Sequence, residues 1–229
     1  WGRMETIMSG KERVVSVESI LEIAARIFAE RGYLGTNLQD VAAELGVTRQ
    51  ALYYHFSKKH DILRAVFEWM FRELNAAADV AEARANGRGT FENLLRGHVE
   101  FLAVHPHLAQ LSVQEYRHLP SDMAQEVLEL RRQYLERFYE AFAAGVEVGR
   151  LVDQDPRVAV QLAMGAANWL HRWYRPSGEL SPSDMTNVAV QLLMGGFARA
   201  EGPAERRIAA PSTGVKPSKG RRSRSAPAR

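Results

Sequence analysis

The chain has 229 residues, 46% of them hydrophobic and 25% charged, enough for one generous core or two modest ones. It contains no cysteine, which excludes a disulfide framework, a thiolate nucleophile and a cysteine zinc site, and makes the cytoplasm the expected address. The net charge of +3 is unevenly placed: residues 201–229 hold eight Lys/Arg against two Glu, a balance of +6, so residues 1–200 stand at −3 and overall basicity is no argument that the folded part binds nucleic acid.

No membrane partner is expected. The charge-free run 158–170 falls short of the roughly 20 apolar residues a bilayer needs, and Gln161 and Asn168 interrupt it. The opening WGRMETIMSGKERVV lacks the apolar block of a secretory signal. With Trp1 at its head, Met4 and Met8 are alternative starts, and residues 1–15 read as a flexible arm.

Ser16 is placed to cap a first helix in which Ile20, Ala24, Ile27 and Phe28 recur at three- and four-residue spacing until Gly32 stops it. A second helix begins at Asn37, with Asn37 and Asp40 at capping-box spacing, and ends at Gly46. Thr48 caps a short third helix that reaches about Phe56. From Lys58 a long helix carries Ile62, Val66, Phe67, Met70, Phe71 and Leu74 on one face and runs toward ANGRG at 85–89. Further helices are expected over 90–105, 107–118, 121–148 (opened by Ser121 and closed by Gly149), 156–174 and 182–199. The last begins SPSD, with Ser181 as cap and Pro182 at the first helical position. No segment alternates as a strand and no repeat has a fixed period, so the expected fold is all-α. Residues 201–229 are Pro/Ser/Gly/Arg-rich with few apolar side chains and read as a disordered basic tail.

Two short helices joined at Gly46-Val47 and braced by a third make the helix-turn-helix arrangement, whose second helix enters the major groove. In VTRQALYYHFSKK, residues 47–59, Leu52 and Phe56 join Val41, Leu45 and Val47 on the inward face. Thr48, Arg49, Gln50, Tyr53 and Tyr54 occupy the remaining arc. Arg49 suits the O6 and N7 of guanine, and Gln50 the N6 and N7 of adenine. Tyr53, His55 and Lys59 suit phosphate oxygens, and Thr36 and Asn37 stand at a helix N-terminus that favours a phosphate. The plain alternative, an aromatic core with a solvated flank, accounts for Leu52 and Phe56 but not for the agreement of turn, caps and polar arc. Tyr54 fits either a groove contact or a packed edge.

The stretch from Ile20 to Leu63, with FAERGYLGT at 28–36, LQDVAAELGVT at 38–48 and LYYHFSKKHDIL at 52–63, resembles the N-terminal domain of the TetR family of transcriptional repressors. The resemblance implies a homodimer of all-helical subunits, with a three-helix DNA-binding domain over 16–63 and a larger effector-binding and dimerisation domain over 64–200. It implies a double-stranded, palindromic operator as partner and repression relieved by a ligand, without cofactor or catalytic residue. It places Thr36, Thr48, Arg49, Gln50, Tyr53, His55 and Lys59 where family members touch DNA. The family's common Lys-Glu pair at the start of the fourth helix is Lys59-His60 here.

VAVQLAMGAANWL at 158–170 and VAVQLLMGGFA at 188–198 are apolar on most sides, and Gly165, Ala166, Gly195 and Gly196 would admit another helix closely. A glycine inside a helix costs about 0.5–1 kcal/mol relative to alanine, so such residues suggest a packing reason. The resemblance puts the dimer interface on these last two helices, 156–199; packing within the chain is the alternative. NWLHRWYRPSGEL at 168–180, followed by SPSD, resembles the end of the ligand domain in TetR members that control fatty-acid or steroid breakdown and respond to acyl-CoA thioesters. There Arg172 suits a phosphate, and Trp169 or Trp173 an acyl chain or an adenine; an interface role for the tryptophans and an ordinary ion pair for Arg172 fit equally. The effector pocket implied among the middle helices draws on Phe67, Met70, Phe71, Phe101, Tyr134 and Phe138, each also readable as core. The implied effector is an acyl-CoA or another bulky apolar molecule that repacks this core and shifts the long helix after Lys58.

Two rival classes stand beside this reading. Glu115-Tyr116-Arg117-His118 is a single Glu-x-x-His, whereas a di-iron bundle needs two with two further glutamates, and His105 and His107 flank a helix break, so neither catalysis nor a metal is expected, a mononuclear site being the alternative left open. A non-specific nucleic-acid binder would act through the basic tail, each neutralised phosphate adding close to one unit to the salt slope.

Overall fold

The computed structural model describes residues 7–8, 14–84 and 90–197. The expectation of a disordered tail falls outside the described residues, as does most of the expected flexible arm. Among the described residues there are nine α-helices: α1 (Val17–Arg31), α2 (Leu38–Leu45), α3 (Arg49–His55), α4 (Lys59–Arg84), α5 (Phe91–Val104), α6 (Pro106–Gln114), α7 (Ser121–Glu147), α8 (Pro156–Asn168) and α9 (Pro182–Phe197). One departure from the sequence reading is a two-residue antiparallel pairing, β1 (Ile7–Met8) with β2 (Val14–Val15), in which Ile7 faces Val15 and Met8 faces Val14. Two residues per strand are too few for alternation to be read.

The local chemistry that starts and stops the helices is largely as the sequence dictates. The hydroxyl of Ser16 accepts the Ser19 N–H, and Asn37 and Asp40 exchange side-chain and backbone bonds in a reciprocal capping box. Thr48 accepts the Ala51 N–H, Thr90 the Asn93 N–H and Asp155 the Arg157 N–H. Gly46 takes a left-handed conformation with φ of 67°, and the Gly46 and Val47 N–H groups close back on Ala43 and Ala42. These are the two bonds that end a helix while turning the chain sharply, and only glycine adopts that φ without strain.

Three boundaries differ from expectation. The helix expected over 156–174 stops at Asn168 and tightens into a single 3-10 turn, Trp169–Arg172. There His171 Nδ1 lies 2.6 Å from the Asn168 carbonyl, and the Trp173 N–H closes on the Leu170 carbonyl three residues back. The helix expected over 107–118 runs instead from Pro106 to Gln114, followed by a 3-10 turn, Tyr116–His118. At α7, Pro120 and not Ser121 occupies the capping position, without a side-chain cap.

α5 packs between α4 and α9, α7 lies against α4 and α8, and α1 lies against both α4 and α6. Phe28, Phe67, Phe91, Phe138 and Phe142 are fully buried. Arg137 braces α7 to α4: its guanidinium donates to Asn75 Oδ1 at 3.0 Å and pairs with Asp79 at 2.8 Å and Glu82 at 3.0 Å. The described residues belong to one compact unit ending at Arg199. The division expected at 63/64 falls inside α4, so one rigid element serves both halves. None of the described helices is long and apolar enough to cross a membrane.

Candidate nucleic-acid interface and effector cavity

α2, the Gly46-Val47 turn and α3 form the helix-turn-helix, with α1 as brace. Val41, Leu45, Val47, Leu52 and Phe56 are all buried, the inward face that the spacing demands. Thr48, Arg49 and Gln50 are exposed, and Tyr54, the ambiguous member, is 77% exposed, its ring meeting that of His55 edge-on at 4.8 Å, too open for a packed edge. Arg49 is held before any DNA arrives: its Nη2 donates to Tyr53 Oη at 2.8 Å, and the guanidinium carbon lies 5.1 Å from the Tyr53 ring centre. A fork oriented in advance loses less conformational freedom when it meets a base edge.

Three residues expected on phosphates take up internal partners here. Thr36 is buried, its hydroxyl donating to the Gly32 carbonyl and its N–H to that of Tyr33. The Asn37 N–H and side chain are committed to Asp40. Lys59 Nζ donates to the carbonyls of Tyr33 at 2.6 Å and Thr36 at 2.8 Å and sits 4.1 Å from the Tyr33 ring centre, with burial lowering its pKa. These contacts make Lys59 a clamp on the α1–α2 turn.

A cavity of about 210 Å³ lies among α4, α5, α6, α7 and α8. Phe67, Met70, Phe71 and Tyr134 line it as expected, with Leu74, Leu102, Val127, Leu135 and Met164. Phe138 does not: it is core, its ring 5.1 Å from Tyr134 and 6.1 Å from His98. Phe101 packs on His105 instead, ring centres 5.0 Å apart. The polar lining was not selected from the sequence: His98, Ser112, Tyr116, Arg131 and Asn168. His98 Nδ1 is 3.0 Å from Tyr134 Oη, while its buried Nε2 has no hydrogen-bond partner. Burial lowers the His98 pKa to about 4, against an opposing interaction with Asn168, and burial pushes the Tyr134 phenol up, so both are neutral at pH 7.

Beside the cavity, sharing Arg131, Met164 and Asn168 with it, opens a cleft of about 360 Å³ lined by Gln161, Gly165, Trp169, His171 and Arg172. Trp169 and Arg172 thus meet, the guanidinium carbon 5.7 Å from the indole, whereas Trp173 lines neither space and is 56% exposed. On the outer faces of α8 and α9, Val158, Leu162, Val188 and Leu192 are exposed, and a side chain added at Gly165, Gly195 or Gly196 would meet no atom of the chain within 4 Å. Among the described residues, no packing against another element accounts for these glycines.

The cavity and the head are joined through Glu115, which follows the lining residue Ser112 by three positions and precedes Tyr116. Its buried carboxylate accepts the Tyr33 N–H at 3.1 Å and lies 3.4 Å from His118 Nε2, whose ring stacks on Tyr33 at 5.6 Å. The Glu-x-x-His read in the sequence is therefore a Glu-His contact at the junction of head and body.

Residues 20–66 match the family described as bacterial regulatory proteins, tetR family, and residues 84–197 match the tetracyclin repressor-like C-terminal domain. The chain is 27% identical over 188 residues to the HTH-type transcriptional repressor KstR2 of Mycobacterium tuberculosis, covering 79% of this chain and 92% of that one. A TetR/AcrR-family regulator of Thermobifida fusca has a solved structure that is 32% identical, with a TM-score of 0.57, over 80% of this chain and 98% of that one. The structure of AibR in complex with isovaleryl coenzyme A and operator DNA is 25% identical, with a TM-score of 0.60, over 77% and 97%.

Proposed function

Since this chain belongs to the tetR family of bacterial regulatory proteins and is a DNA-binding transcriptional regulator of the repressor type, we propose that it acts in the cytoplasm as a homodimer released from a palindromic operator by an acyl-CoA thioester. Its family and the matched relatives are regulators of transcription, not enzymes.

The observation that carries the ligand class is the shared wall of two unlike spaces. An apolar cavity of about 210 Å³ lies below the roughly 300 Å³ at which drug-sized pockets begin, which suits a small apolar end. The adjoining cleft presents Arg131, His171 and Arg172 beside Trp169, groups that pair with phosphate oxygens and stack on an adenine. A ligand spanning both would be apolar at one end and anionic at the other, and AibR, which binds isovaleryl coenzyme A, is of similar fold. Exposed Val158, Leu162, Val188 and Leu192 with the open glycines support dimerisation through 156–199. In this reading Arg49 and Gln50 read bases, and Thr48, Tyr53, Tyr54 and His55 supply further contacts to the duplex.

A ligand filling the cavity pushes on Phe67, Met70, Phe71 and Leu74 of α4, and on Ser112 and Tyr116 either side of Glu115. Both routes end at the α1–α2 turn, one through Lys59 and one through Tyr33. Release requires that the ligand bind the free state more tightly than the operator-bound state. Calorimetric titration of free and operator-bound protein with acyl-CoAs of graded chain length tests this. Tighter binding to free protein is expected; silence across the panel, or equal affinity for both forms, sinks the reading.

A second reading, a neutral apolar effector without coenzyme A, is favoured by His98: its buried Nε2, which makes no well-formed hydrogen bond, offers a polar contact in the cavity wall to such a molecule. Binding of the free alcohol or ketone analogue in preference to the thioester would select it.

A further inference from the structure

A cluster separate from the reading face and the cavity stands where α1 meets the α5–α6 junction. Glu22 of α1 turns its carboxylate toward His105, which ends α5, and His107, in the first turn of α6: Oε1 is 3.6 Å from His105 Nδ1 and 3.3 Å from His107 Nε2. One donor atom from each of the three lies within 4.8 Å of the others. Pro106 sets the two histidines on either side of a helix start, and the Phe101 and Trp69 rings flank His105 at 5.0 and 6.3 Å. Two atoms of the cluster, Glu22 Oε2 and His107 Nε2, are buried without a hydrogen-bond partner. Buried polar atoms are rarely left so; Glu22 Oε1 lies close enough to both imidazoles to interact with each, but neither contact makes a well-formed hydrogen bond to His107 Nε2, and Glu22 Oε2 is left over.

We propose that Glu22, His105 and His107 bind one divalent transition-metal ion of zinc's class, with water completing its coordination. Zinc holds nitrogen ligands at about 2.0–2.1 Å and carboxylate oxygens at about 2.0–2.2 Å, which in a tetrahedron sets ligand atoms roughly 3.3 Å apart. Two of the separations here, 3.3 and 3.6 Å, are near that figure. Two imidazoles and one carboxylate suit Zn(II) and its neighbours, and not Mg(II) or Ca(II), which take oxygen ligands. Each of the three side chains is partly exposed, so an ion has a path in. The ion would tie α1 to the α5–α6 turn, a further fastening between head and body beside those made by Glu115, Lys59 and the Gln110–Ala29 hydrogen bond.

The test uses the full chain after chelation, titrated with Zn(II) by calorimetry and with Co(II) by visible absorption. One ion per chain is expected, with the d–d bands of a four- or five-coordinate N/O site. The melting temperature should rise by roughly 5–10 °C at free Zn(II) about a hundred times Kd. Glu22→Gln and His107→Gln should each weaken binding by more than about tenfold, since loss of a ligand exceeds the effect of losing an outer-shell partner. His118→Gln, in the other Glu-His pair, should bind like the parent chain. Absence of stoichiometric binding, or binding by Glu22→Gln and His107→Gln as tight as by the parent chain, overturns the proposal. If those variants fail to fold, imidazole NMR of the parent chain decides: His105 and His107 signals must shift with Zn(II), and unmoved signals overturn it.

Discussion

Glu115 Oε2 accepts the backbone N–H of Tyr33 at 3.1 Å, a buried bond between residues 82 apart in the chain. It ties the start of the α1–α2 turn to a residue flanked by the cavity lining. Glu115→Ala should leave that N–H buried and unpaired and destabilise the protein by about 1–3 kcal/mol, whereas Glu115→Gln keeps an acceptor oxygen and should retain most of the stability. Urea denaturation at unchanged m-value separates the two; equal losses would show that the hydrogen bond is not what matters.

Lys59 distinguishes a clamp from a phosphate contact. Lys59→Met removes the donor from the Tyr33 and Thr36 carbonyls and should cost about 1–3 kcal/mol of stability. The salt dependence of operator binding should keep its slope, because no phosphate loses a partner; a slope shallower by close to 0.9 would return Lys59 to the DNA backbone.

Arg49→Ala should weaken specific binding by about 1–3 kcal/mol and relax base choice at one position of each half-site. Tyr53→Phe, which removes the oxygen that steadies Arg49 and its own reach to phosphate, should give a smaller relaxation at that same position beside a loss common to all operators. Titration of operators substituted one base pair at a time reads both, and a uniform loss across all positions would move Arg49 to a backbone role.

His98 predicts a limb of acid instability. Its pKa falls from 6.5 in the unfolded chain to about 4 in the fold, so the folded state binds fewer protons. The associated stability is fully present above pH 6.5 and is lost as pH falls from there toward 4, by roughly 3 kcal/mol in all. His98→Gln should flatten this limb in stability measured against pH; an unchanged slope would assign the acid lability elsewhere.

Leu162→Glu and Leu192→Glu place charge on the outer faces of α8 and α9, at positions 65% and 73% exposed in the single chain. Neither should alter the fold, but each should shift sedimentation toward the monomer and weaken operator binding. A dimer that survives both substitutions would place the interface on another surface.

The caps at Ser16, Asn37 and Thr48 and the stop at Gly46 were legible because they are local. Asn37 needs only Asp40, and Gly46 only the turn behind it. The reading face was legible for the same reason, since the arc of α3 left over by Leu52 and Phe56 is fixed by helix geometry. What the sequence left open lies in contacts made over distance. Tyr134 and Phe138 are one helical turn apart on α7, and the spacing turns both inward, yet only the position of Phe91 and His98 makes one a cavity wall and the other core. Lys59 looked available to phosphate because nothing within a few residues shows it folding back over Tyr33. His98, Arg131 and Asn168 went unselected since they converge from three different helices.

Lys59 ties the α1–α2 turn to the first turn of α4, so under the proposed mechanism a tilt of that helix would carry the head with it. The 26 residues of α4 form a lever about 39 Å long at 1.5 Å per residue. A tilt of about 5° carries one end of such a lever roughly 3 Å sideways, close to the ~3.4 Å between successive phosphates of one DNA strand measured along the helix axis. The amplification is in the arm: a rearrangement of side chains too small to disturb the core is enough to put a recognition helix one base pair out of step.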